Sequence, residues 1–181
     1  MKKIPTLFKR VFDGNRLVDI LPEITKGCEE AFPHGVATLK WDGAVKCQEE
    51  PDPITGHFLC WIKCDRSKPD DKWFWSAYDK KLSLLKEKVS YVTRLPDGTY
   101  EAVGKHFQGN PYNFDFDCLV RHGTILREVE RTFEGVKKFL SENYREGIVF
   151  WLDGNPVCKI KRTDFGFEWN GKGGEKNENN S

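Results

Sequence analysis

Three short stretches of this 181-residue chain carry residue types able to do chemistry together. Lys40-Trp41-Asp42-Gly43 sets an amine two residues ahead of a carboxylate and a turn-forming Asp-Gly pair. Alone, Lys-x-Asp-Gly is a weak signal: it arises by accident in about 4% of chains this long. Its plain reading is a lysine beside an ordinary turn. Glu146-Gly147-Ile148-Val149-Phe150 puts a carboxylate at the mouth of an apolar strand, where it can bind a divalent ion or a phosphate-bound water. A solvated strand-end glutamate is the plain alternative. In Lys159-Ile160-Lys161 the two-residue period of a strand sends both ammonium groups to one face and Ile160 to the other. Lysines on an edge strand commonly serve solubility. These two lie one hairpin away from Glu146, so the paired strands present cations and a carboxylate together.

The elements that must position these groups are legible in part. Residues 36–46 mix β-branched and apolar types before Asp42-Gly43 and read as a strand entering a tight turn, with Lys40 near that turn. Residues 148–152 and 157–161 form a hairpin across Asp153-Gly154-Asn155. A second hairpin is expected across Asp97-Gly98, between residues 90–94 and 99–103. Strands are also expected over 57–63 and 114–120, and a helix over 132–144, with Val136, Phe139 and Leu140 at helical spacing behind Thr132 as cap. The pattern of residues 78–88 is compatible with a short helix and does not assign one.

Composition limits the alternatives. With 38% hydrophobic residues the chain can bury a core of single-domain size. We read residues 1–170 as one domain and the Gly-, Lys-, Glu- and Asn-rich residues 171–181 as a disordered tail. Lys+Arg 29 against Asp+Glu 28 leaves a net charge of +1, so a polyanionic partner must meet a local basic surface. Six cysteines without C-x-x-C or zinc-finger spacing read as reduced thiols. No apolar run approaches a membrane span, so the expectation is a soluble intracellular monomer, cytoplasmic or nuclear, with no membrane partner.

The order of Lys40-x-Asp42-Gly43, Tyr100-Glu101-Ala102-Val103-Gly104, Glu146-Gly147-Ile148-Val149 and Cys158-Lys159-Ile160-Lys161 resembles motifs I, III, IV and V of the RNA ligase branch of the covalent nucleotidyltransferase superfamily. Within that branch, Cys60-Trp61-Ile62-Lys63-Cys64-Asp65-Arg66, Gly109-Asn110-Pro111-Tyr112, His122-Gly123 and Phe165-Gly166 before Trp169 look most like the 5′-to-3′ RNA ligases of animal cells and their viral relatives. The resemblance spans residues 36–169. It implies an α+β adenylation domain of two packed, largely antiparallel sheets with flanking helices and a central nucleotide groove.

It also implies a mechanism in three steps. Lys40 attacks the α-phosphate of ATP, AMP passes to an RNA 5′-phosphate, and an RNA 3′-hydroxyl displaces AMP. An amine with an ordinary lysine pKa of about 10.4 is protonated and non-nucleophilic at neutral pH, so Lys159, Lys161 and a divalent ion are expected to favour its neutral form. The same cations offset charge on the phosphate in transit. Asp42 would orient or deprotonate near Lys40, and Gly43 would admit close backbone approach to the nucleotide. Glu101 would accept hydrogen bonds from ribose hydroxyls, Arg66 would grip a phosphate, and Glu146 would hold Mg2+ or Mn2+.

Ala44 stands where many relatives carry a hydroxyl residue, and little chain follows Trp169, so an appended RNA-clamping domain is not expected. Trp73, Phe74 and Trp75 read as core aromatics before base-stacking ones; His122 and Phe116 read as core before adenine-pocket lining. Three rivals remain open: a DNA ligase, a capping guanylyltransferase with the same lysine chemistry, and a non-catalytic domain that binds nucleotide or RNA.

Overall fold

The computed structural model describes residues 4–45, 71–93, 95, 96 and 98–169. The fold is mixed α+β, with small antiparallel sheets and few helices. In chain order the elements are β1 (Phe8–Asp13), β2 (Arg16–Ile24), α1 (Ala31–His34), β3 (Val36–Lys40), α2 (Asp71–Lys86), β4 (Tyr100–Gly104), β5 (Asp117–Arg121), α3 (Phe133–Glu142), β6 (Gly147–Leu152), β7 (Asn155–Lys161) and a 3-10 turn, Arg162–Phe165. Two compact units divide them: Met1–Trp41 with His122–Trp169, and Asp42–Arg121.

In the first unit, β3, β6 and β7 form an antiparallel sheet in that order, beside the β1–β2 hairpin. The β6–β7 turn has positive φ at both central residues, Asp153 at 48° and Gly154 at 76°, the mirror-image turn whose twist matches the strands it joins. One sheet face is apolar: Ala37, Ile148, Phe150, Cys158 and Ile160 are buried with Phe8, Phe32, Val136 and Leu140. Phe8 meets the rings of Phe32 and Phe133 edge-on at 5.4 and 4.9 Å. Strand alternation then sends Thr38, Lys40, Lys159 and Lys161 to the other face. The expected helix is present over Phe133–Glu142, and the Thr132 hydroxyl accepts the Gly135 N–H at 2.9 Å.

In the second unit β4 pairs with β5. Ala77 of α2 packs with Leu95, Tyr100, Ala102, Phe107 and Leu119. Of the hairpin expected across Asp97-Gly98, the described residues 90–93 form no strand, and β4 pairs with β5. The amides of Lys88 and Val89 donate to the Leu85 carbonyl and that of Val92 to Val89, so the chain leaving α2 spends its donors on turns rather than on a ladder. The strand expected from residue 114 starts at Asp117, because the Asn110 side chain takes both backbone groups of Phe114, at 2.7 and 3.0 Å. Residues 78–88, which the sequence left unassigned, lie largely within α2, which begins at Asp71. Residues 57–63, Arg66 and the tail lie outside the described residues. Among the described residues no helix is long and apolar enough to cross a membrane, and Cys28, Cys118 and Cys158 are buried free thiols.

Candidate active site

Lys40 ends β3 directly opposite Gly147, and Gly147 lies opposite Lys161, so the two lysines flank a residue with no side chain. Glycine is required there: a Cβ would stand 2.2 Å from the Ile160 carbonyl oxygen. Just ahead of it Glu146, 3% exposed, receives the Lys40 ammonium on Oε2 and that of Lys161 on Oε1 at 2.6 Å. One carboxylate thus holds two ammonium groups from strands far apart in sequence. The Glu146 carbonyl accepts the Arg162 N–H at 2.8 Å, continuing the ladder past the strand end.

Lys159 sits on the same sheet face, two residues before Lys161. Burial holds its ammonium below the ordinary lysine value of 10.5; Lys40, Lys161 and Arg10 add repulsion, and Glu146 partly offsets it. The sign of the resulting pH dependence is fixed: the unfolded chain holds the Lys159 proton more tightly, so this lysine's contribution to stability rises with pH from the depressed folded value up to 10.5. Lys159→Met is therefore expected to melt no lower than the unaltered protein at pH 7 and to lack that rising component. Thermal midpoints of both proteins across a pH series check it; a variant that melts much lower at pH 7 contradicts it.

In the second unit Asp42, Gly43 and Glu101 lie together. Ala44 exchanges backbone hydrogen bonds with Ala102 at 2.9 and 2.8 Å, and a Cβ at Gly43 would meet the Ala102 carbonyl oxygen at 2.3 Å and Glu101 Cγ at 2.7 Å. Glu101 is 9% exposed on β4, and the Asp42 N–H donates to the Tyr112 hydroxyl at 2.6 Å. Tyr112 was legible only as part of Gly109-Asn110-Pro111-Tyr112; its anchoring of Asp42 was not. Arg66 lies outside the described residues.

Two of the aromatic expectations, those for Phe116 and Trp75, need correction. Phe116 is 40% exposed, its ring parallel to that of Phe114 at 5.7 Å, because the strand that would have turned it inward begins one residue later. Trp75 is 52% exposed, whereas Trp73 stacks on His106 at 3.4 Å and Phe74 packs on Phe107. His122 is half-buried. The His106 ring is further fixed by Asp117, 2.6 Å from Nδ1, a pairing with no sequence signal.

No group of three His, Cys, Asp or Glu side chains lies together among the described residues. Glu146 offers a single hard carboxylate, which fits an ion such as Mg2+ that draws its remaining ligands from water and phosphate. A cavity of about 350 Å³, lined by Leu17, Ile20, Phe133, Lys137, Thr163 and Asp164 among others, includes none of the three lysines or Glu146. Comparison with known proteins finds no protein-family model and no curated protein that matches the chain.

Proposed function

We propose that the chain is an ATP-dependent RNA ligase built on a nucleotidyltransferase fold, with Lys40 as the residue that takes AMP. The observation that carries this reading is the Lys40–Glu146–Lys161 cluster, in which the nucleophile candidate meets a carboxylate 106 residues away, with Lys159 on the same face. A solvated turn lysine and a strand-end glutamate have no reason to meet in a buried pair.

In this reading the neutral Lys40 amine attacks the α-phosphorus, the bond to pyrophosphate breaks, and Lys159 and Lys161 offset the charge on the phosphate oxygens. Burial and neighbouring cations hold the Lys159 ammonium below the ordinary lysine value, so an incoming phosphate relieves repulsion already present at that side chain. A Mg2+ or Mn2+ ion held by Glu146 would supply Lewis-acid stabilisation of the phosphate. AMP then moves to an RNA 5′-phosphate, and a 3′-hydroxyl displaces it. Asp42, Gly43, Glu101 and Arg66 keep the roles that the resemblance implies.

Sealing of matched nicks tests the function. RNA 3′ ends are expected to be preferred over DNA, since the terminal ribose hydroxyls distinguish the two at one nucleotide. Sealing is expected to fall steeply with salt, because a net charge of +1 leaves attraction to local cations alone. Equal sealing of an all-DNA nick points to a DNA ligase, and adduct formation with GTP rather than ATP points to a capping guanylyltransferase.

A further inference from the structure

Arg10, on β1, belongs to no motif read from the sequence, yet the fold carries it to the lysine cluster. The chain just before β1 runs parallel to β7: Thr6 bridges Lys159, Leu7 N–H donates to the Lys159 carbonyl at 2.7 Å, and Lys159 N–H donates to the Pro5 carbonyl at 3.0 Å. Moving forward along β1 is therefore moving forward along Lys159, Lys161 and the turn beyond. The β1–β2 pairing slips between Phe8 and Arg10, from partner Ile24 to partner Ile20, across a stretch of β2 that contains Pro22. Proline has no amide to donate, and such irregularities re-aim the side chain opposite. Phe8 enters the core, whereas the Arg10 guanidinium donates to Asp164 Oδ1.

Asp164 is 5% exposed, and its other oxygen accepts the backbone N–H of Lys161 at 2.7 Å. Arg10 is thereby tied to the strand end that bears Lys161, and its charge adds to the repulsion felt by Lys159. Its Nε is buried and finds no hydrogen-bond partner among the described residues. A buried guanidinium N–H left unmet is costly, so an acceptor is owed at that atom. The charges agree: Lys40 and Lys161 meet on Glu146, Arg10 meets Asp164, and Lys159 feels the repulsion of all three. Three lysines on one sheet face, with Arg10 tied to the strand end beside them, suit a phosphate group, whose geometry the planar guanidinium edge matches.

We propose that Arg10 binds a phosphate group other than the one bonded to Lys40, either the pyrophosphate half of ATP or the 5′-phosphate of the RNA. The inference rests on the proposed function only in naming those two sources. Pyrophosphate binding to the unadenylylated protein, followed by calorimetry, tests the anion site whether or not Lys40 takes AMP. Arg10→Met is expected to weaken it about tenfold and Arg10→Lys, which keeps the charge, to restore most of it. Two kinetic arms separate the sources. A raised KM for ATP in adenylylation with kcat little changed assigns Arg10 to the nucleotide; slower AMP transfer to 5′-phosphorylated RNA assigns it to the RNA end.

Unchanged pyrophosphate affinity and unchanged constants in both arms, in a folded Arg10→Met protein, overturn the proposal. So does equal loss in the Met and Lys variants accompanied by a lowered melting midpoint, which makes Arg10 a tie to Asp164 and nothing more. Failure of the unaltered protein to form an AMP adduct, with Arg10-dependent pyrophosphate binding retained, sinks the ligase reading and leaves the anion site standing.

Discussion

Lys40→Arg is expected to give a folded protein that forms no covalent AMP adduct. The guanidinium keeps a positive charge against Glu146, so the buried carboxylate is not stranded, but it stays protonated at any pH the protein tolerates and cannot attack phosphorus. Adduct formation should drop by on the order of 10³-fold or more, the scale on which loss of a covalent nucleophile is felt. Intact mass after incubation with ATP and magnesium, with a thermal melt as the folding control, checks it. Lys40→Ala loses the adduct too, at some cost in stability, because Lys161 alone then faces Glu146. An undiminished adduct on either variant moves the nucleophile elsewhere.

Glu146→Ala is expected to have the largest effect on stability as well as a strong effect on chemistry. It removes the one carboxylate held by both Lys40 and Lys161 and leaves two ammonium groups, 19% and 35% exposed, beside Lys159 with their shared partner gone. Breaking a buried ion pair on one side costs about 3 kcal/mol, or roughly 6–12 °C of melting temperature for a chain of this length. Glu146→Gln keeps the volume and one acceptor and should lose less. If Glu146 also holds the metal, the magnesium concentration for half-maximal adenylylation should rise about tenfold in the Gln variant. A fall in activity with an unchanged metal titration restricts Glu146 to holding the lysines.

Much of the lysine cluster was legible because local signals and strand arithmetic agreed. Asp153-Gly154 announced a hairpin, the two-residue period placed Lys159 and Lys161 on one face, and closing the hairpin brought them back beside Glu146. The partnership of Lys40 with Glu146 was not readable from spacing, since it depends on β3 pairing with β6 across most of the chain; the order of the motifs supplied the expectation.

What stayed hidden had a physical reason in each case. The β1–β2 hairpin repeats the Asp-Gly-Asn signal at Asp13-Gly14-Asn15, but Val11 and Phe12 are both exposed, 36% and 54%, so no alternation marks the strand. Arg10 and Asp164 were missed with it. Early in α2, Trp73, Phe74 and Trp75 are three consecutive aromatics that mask its period, and among the described residues of the strand expected over 90–94 the Val92 amide turns back to Val89 instead of joining a ladder. A strong turn dipeptide makes a hairpin only where both flanks have backbone donors to spare.

Site-mapped mass spectrometry of the purified protein after incubation with ATP and magnesium reads out whether Lys40 takes AMP. A single AMP is expected on the peptide that contains Lys40, released by added pyrophosphate. No adduct with either magnesium or manganese, or an adduct on any other residue, would contradict it.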